Sequence, residues 1–85
     1  MSAFGAPFHI AGTEVDRRLV RPGYHIDTGL SLTITDVDAT MFFPLKHAHD
    51  NCLRVDVVSC HYLGRMHVLT CDGHTATLAM RIPRA

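Results

Sequence analysis

Met66-His67-Val68-Leu69-Thr70-Cys71-Asp72-Gly73-His74-Thr75-Ala76-Thr77-Leu78-Ala79-Met80-Arg81-Ile82 is the stretch whose reading decides the fold. Asp-Gly favours a two-residue reversal with positive φ at both positions. Residues 66–71 and 74–82 are therefore predicted to pair as an antiparallel hairpin. Cys71 then faces His74, Leu69 faces Ala76, and His67 faces Leu78. These six share one side of the sheet with Met80 and Ile82. Met66, Val68, Thr70, Thr75, Thr77 and Ala79 line the other, and a slip of one residue would exchange the two sets.

Upstream the same two-residue period recurs. Leu30-Ser31-Leu32-Thr33-Ile34-Thr35 alternates apolar and polar, as a half-buried strand does. Leu53-Arg54-Val55-Asp56-Val57-Val58 points Leu53, Val55 and Val57 inward. Weaker strands are read at Arg18 to Arg21 and at Thr40 to Phe43. Turn residues separate them, at Arg21-Pro22-Gly23, Asp27-Thr28-Gly29, Thr35-Asp36-Val37-Asp38 and His49-Asp50-Asn51. The expectation is an all-β fold, a small single-domain barrel (OB-like) or a jelly-roll-like sandwich. Residues 1–12 are expected to form a loose arm, tacked down by Phe8 and Ile10, ahead of one β domain over 13–85.

Composition agrees. The chain has 85 residues, 47% hydrophobic and 19% charged, with zero formal net charge. That length allows one domain and a thin core, and that charge balance argues against disorder and against a nucleic-acid-binding patch. Lys46 is the only lysine and Glu14 the only glutamate, which leaves few of the residues that usually cover helix surfaces. No apolar run is long enough for a transmembrane helix, so no membrane insertion is expected. The segment Met1 to Phe8 lacks the charge and apolar stretch of a secretory signal. Cys52, Cys60 and Cys71 make an odd count, and free thiols in a cytoplasmic, reducing compartment are expected.

The reactive-looking side chains are His47, His49, Cys52, Cys60, His61, His67, Cys71 and His74. An extended His47-Ala48-His49 puts two imidazoles on one side, and the predicted hairpin makes Cys71 and His74 neighbours. Cys71, His74, His47 and His49 are thus the candidate ligands if a zinc ion stabilises the thin core. The spacing opposes it: no Cys-x-x-Cys occurs, and adjacent Cys60 and His61 point to opposite faces of a strand. A thiol nucleophile needs a base and an orienting group. Cys60 or Cys71 with a histidine and Asp72 supplies one only in the sense that a composition this rich in His and Asp always does. Asp36 and Asp38 read as turn residues rather than an acid/base pair. Arg17-Arg18-Leu19-Val20-Arg21 reads as a solvated strand edge beside Glu14 and Asp16. No catalytic residue and no cofactor is assigned.

Several motifs follow a familiar order: Val20-Arg21-Pro22, then Val55-Asp56-Val57-Val58-Ser59-Cys60-His61-Tyr62-Leu63-Gly64, Asp72-Gly73, and Arg81-Ile82-Pro83. Over residues 18–84 this resembles the TOBE domain, the small C-terminal β-barrel of ABC-importer ATP-binding subunits. The resemblance implies a non-catalytic accessory role, sensing a small-molecule ligand or contacting a transporter or other protein partner. The chain departs from that pattern in Gly23 after Arg21-Pro22 and in having no counterpart for Ser31 to Cys52, and a free-standing chain with no ATPase domain ahead of it is the expectation. A second set is similar to motifs of trimeric dUTPases: Ala11-Gly12, Pro22-Gly23, Thr28-Gly29-Leu30, Leu45-Lys46-His47, Tyr62-Leu63-Gly64-Arg65-Met66-His67-Val68-Leu69 and Arg81-Ile82. The Arg-Ser-Gly segment of that family is absent, and Ser59 stands where its aspartate precedes the tyrosine, so this likeness implies a degenerate, non-catalytic relative. Both lead to the same expectation of a binding module, homo-oligomeric through strand edges or a shared apolar face.

Overall fold

The computed structural model describes residues 8–59 and 62–83. Seven strands form one antiparallel sheet: β1 (Phe8–Ile10), β2 (Thr13–Val15), β3 (Val20–His25), β4 (Gly29–Ile34), β5 (Arg54–Val58), β6 (Leu63–Cys71) and β7 (Ala76–Ala79). Their order across the sheet is β2-β1-β5-β6-β7-β4-β3. Strands make up 49% of the structure, and the sheet curls into a half-barrel. The one α-helix among the described residues, α1 (Ala39–Asp50), packs against β6 and β5. The all-β barrel class is therefore what the chain adopts.

The core lies on the inner face of the curl. Alternation places Leu32 and Ile34 of β4, Val55 and Val57 of β5, and Ala76 and Leu78 of β7 inward, all buried. The outer face carries Arg54, Asp56 and Arg65, with an Arg65 Nε–Asp56 Oδ1 contact of 3.1 Å between neighbouring strands. One buried face and one solvated face is the usual economy of an antiparallel sheet.

Several sequence expectations change. Arg21-Pro22-Gly23, expected as a turn, lies inside β3, and the strand expected from Arg18 begins only at Val20 because Arg17–Leu19 form a single 3-10 turn. Residues 40–43 are not a strand. Asp38 caps α1 by accepting a hydrogen bond from the Met41 N–H at 3.0 Å. Met41, Leu45 and Ala48, spaced four and three apart, are buried as one helical stripe. Pro44 falls early in the helix, where its missing N–H leaves only the exposed Thr40 carbonyl without a helical donor.

The Asp72-Gly73 reversal is wider than two residues. The Asp72 N–H donates to the Thr75 carbonyl at 3.0 Å, and Asp72 Oδ1 accepts from the His74 and Thr75 N–H groups at 3.0 and 2.8 Å. Cys71 consequently pairs with Ala76, not His74. The two-residue turn with positive φ at both positions occurs instead at Ala11 (φ 54) and Gly12 (φ 80), joining β1 to β2.

A bulge between Val68 and Thr70 then divides β6. Before it, Met66 and Val68 face the core; after it, Cys71 joins the face of Ala76 and Leu78. One extra residue, Leu69, reverses the alternation. Of the residues expected to share one side, Cys71, Ala76 and Leu78 do so, whereas His67 lies on the opposite side with Ala79 and Leu69 is the extra residue of the bulge. Leu53, also expected inward, is half exposed because it belongs to the helix exit rather than to β5.

The expected N-terminal arm is a strand from Phe8 onward. β1 lies between β2 and β5, and Ile10 is fully buried.

Candidate functional site

The reactive side chains are dispersed by these corrections. On α1, His47 and His49 point to different sides, since two residues of helix turn about 200°; His47 is exposed and His49 half-buried. Cys71 sits beneath the helix, its Sγ 4.0 Å from the Phe42 carbonyl oxygen, and burial pushes its thiol pKa up. A raised thiol is a poor nucleophile. His74 is exposed in the β6–β7 loop, and Cys60 and His61 lie outside the described residues. Among the described residues, no three His, Cys, Asp or Glu side chains come together to hold a metal ion.

The carboxylates have local tasks. Asp72 closes its loop, and the His74 and Thr75 N–H groups hold its pKa below the usual carboxylate value. Asp50 is lowered by His49 and then by Lys46, whose Nζ lies 3.1 Å away. Asp16 is lowered by Arg18 at 3.0 Å. Each folded-state value is depressed, so each contribution to stability is present above the ordinary carboxylate range and is lost as pH falls through the folded value. All three groups are solvent-exposed, which keeps these contributions small.

The helix exit builds the site that sequence reasoning missed. Asn51 caps α1, the Cys52 N–H donates to His49 O at 3.4 Å, and the Leu53 N–H reaches back to Ala48 O at 2.9 Å. This is a Schellman ending, with Cys52 at its left-handed position (φ 55) where glycine is usual. The ending swings Leu53 out beside Leu69 and Ile82, and these flank a cleft of about 180 Å³ that also meets His49, Cys52 and His67. A residue with a Cβ at such a φ is disfavoured by roughly 1–2 kcal/mol. Allowing for the freedom glycine adds to the unfolded chain, Cys52→Gly is expected to stabilise the protein by about 0.5–1 kcal/mol. Thermal unfolding checks this: the midpoint should rise by a few degrees, and a fall would show that the thiol contributes contacts worth more than the strain.

A second surface feature is apolar. The pairings align Tyr24 of β3 with Leu30 of β4, and the Met80 N–H donates to Leu30 O, so Tyr24, Leu30 and Met80 form one row. This row lies on the inner face but beyond the reach of α1, which packs on β5 and β6. Tyr24 is 76% exposed there, and Ile26, at the tip of the β3–β4 hairpin, is 80% exposed. Arg81 fastens that tip, donating from Nε to Asp27 O and from Nη2 to Ile26 O, both at 3.3 Å.

No protein-family model, curated protein or solved structure matches the chain.

Proposed function

We propose that this chain is a non-catalytic binding module that contacts a protein partner through the cleft between the exit of α1 and the end of β7. The observation that carries the reading is the exposure of Leu53 (49%) and Ile82 (59%) on either side of a cleft of about 180 Å³. Small-molecule sites usually enclose about 300–1,000 Å³. A cleft this small, with apolar walls open to water, suits one inserted side chain of another protein better than a free ligand. The histidines and Cys52 supply polar groups at its edge rather than a reaction centre. If the likeness to TOBE domains is taken up, the partner is a subunit of a transport assembly. The test is a photo-crosslinking amino acid placed at Ile82 and, as control, at Arg65 on the solvated face, in cells making the protein. A defined protein captured from position 82 but not from 65 is the expected result. Equal capture from both positions, or capture of only another copy of this chain, would overturn it.

A further inference from the structure

The free edge of β3 is matched to itself, and we infer that two copies of this chain pair through it, antiparallel, about a two-fold axis at Tyr24. This inference uses a different surface from the cleft and stands without it.

The backbone sets the argument. The Thr35 N–H donates to Leu19 O, and the Met80 N–H donates to Leu30 O. In an antiparallel ladder the bonding side alternates with each residue. Odd-numbered residues of β4 therefore bond to β3, and even-numbered ones to β7. It follows that Arg21, Gly23 and His25 turn their backbone groups toward β4. Every described peptide is trans, so the carbonyls of Val20, Pro22 and Tyr24 and the N–H groups of Tyr24 and Ile26 point away from the sheet. The Val20 N–H is already bonded to Arg17 O.

Pro22 would ordinarily protect such an edge, because it has no N–H to offer. Here its position defeats the protection. With Tyr24 opposite Tyr24 of the second copy, the Pro22 of each copy faces Ile26 of the other. The two Tyr24 residues exchange N–H···O bonds, and each Ile26 N–H meets a Pro22 carbonyl. The donor that Pro22 lacks would have gone to the Ile26 carbonyl, and Arg81 already occupies that oxygen at 3.3 Å. No donor on the edge is left without an acceptor.

The side chains agree with this register. On the inner face, exposed Tyr24 meets its counterpart, and Pro22 meets Ile26. On the outer face, Gly23 leaves room beside His25. Arg21 comes opposite Asp27, which lies on the His25 side of the hairpin with a carboxylate oxygen 3.8 Å from the His25 ring. Arg21 has no ion pair among the described residues. A two-fold axis makes the Arg21–Asp27 contact twice, and zero formal net charge brings no overall repulsion between copies. The opposite edge, β2, is three residues long, carries Glu14 at its centre and is followed by Asp16, and it offers no comparable match.

Sedimentation equilibrium over a concentration series tests the pairing, with far-UV circular dichroism confirming that each variant folds. The intact chain should sediment at twice its 9.4 kDa mass. Arg21→Asp, which sets a carboxylate against Asp27 of the other copy at both symmetry-related contacts, should raise the dimer dissociation constant at least tenfold. Adding Asp27→Arg to it should restore the constant to within about threefold. Tyr24→Pro, which removes the central outward donor without touching the bonds to β4, should yield a monomer. A monomeric intact chain would overturn the inference. So would a dimer indifferent to Arg21→Asp and Tyr24→Pro, or one that the charge exchange fails to rescue.

Discussion

Leu45→Ala should lower stability by roughly 3 kcal/mol, within the range of about 2–5 kcal/mol for buried leucines. Leu45 is fully buried at the centre of the stripe that α1 presents to the sheet. Truncation removes apolar surface from the core and leaves a void that the curled sheet on one side and the helix backbone on the other are too rigid to close. In a domain of this size that loss should bring the thermal midpoint down by well over ten degrees, since each kcal/mol is worth about 4–8 °C. Phe43→Ala is the control. As a strand residue, Phe43 would share the buried side with Met41; on the helix it is 69% exposed. Its removal should change stability by roughly 0.5 kcal/mol or less, as for most surface substitutions. Paired urea titrations of the two variants read the difference directly. A larger loss from Phe43 than from Leu45 would reject the helix and restore the strand.

Ile10→Ala should cost about 2–4 kcal/mol, again by cavity formation. Ile10 is fully buried, opposite Thr13 of β2 and Val57 of β5. His9, its neighbour, points outward within 3.9 Å of Glu14, and His9→Ala should be nearly neutral because exposed ion pairs contribute little. The contrast between adjacent residues tests whether β1 is an integral strand. Had the segment been an arm, the two substitutions would be equally mild. The urea midpoint of Ile10→Ala should fall while the slope stays unchanged, as expected when stability alone is altered. A reduced slope would instead indicate that β1 detaches and the remainder unfolds separately.

The resolved elements show where local patterning suffices. Leu30 to Thr35 read as a strand and forms β4 almost residue for residue, because alternation of apolar and polar side chains has one geometric meaning on a pleated chain. Val55 and Val57 were legible for the same reason. The helix went unread, although the Asp38 cap and the Met41, Leu45, Ala48 spacing mark it. It was obscured by Thr40, Phe42 and Phe43, which favour strands, and by Pro44, which disfavours helix interiors. Of the candidate site, the residue types were visible but their grouping was not. Cys71 with His74 depended on a two-residue turn that Asp72 widened through its own side chain. The cleft formed by Leu53, Leu69 and Ile82 depended on a helix ending and a bulge that carry no periodic signal.

Sequence alone therefore determined the class of fold and the inward-facing positions of β4, β5 and β7, since burying alternate side chains is a local requirement written into each strand. Tertiary structure decided which side of β6 faces inward past Leu69, where β1 inserts, and which polar groups end up together. Those choices are made by packing between segments distant in the chain, where one added residue in a bulge, or one side chain closing a loop, moves every contact beyond it.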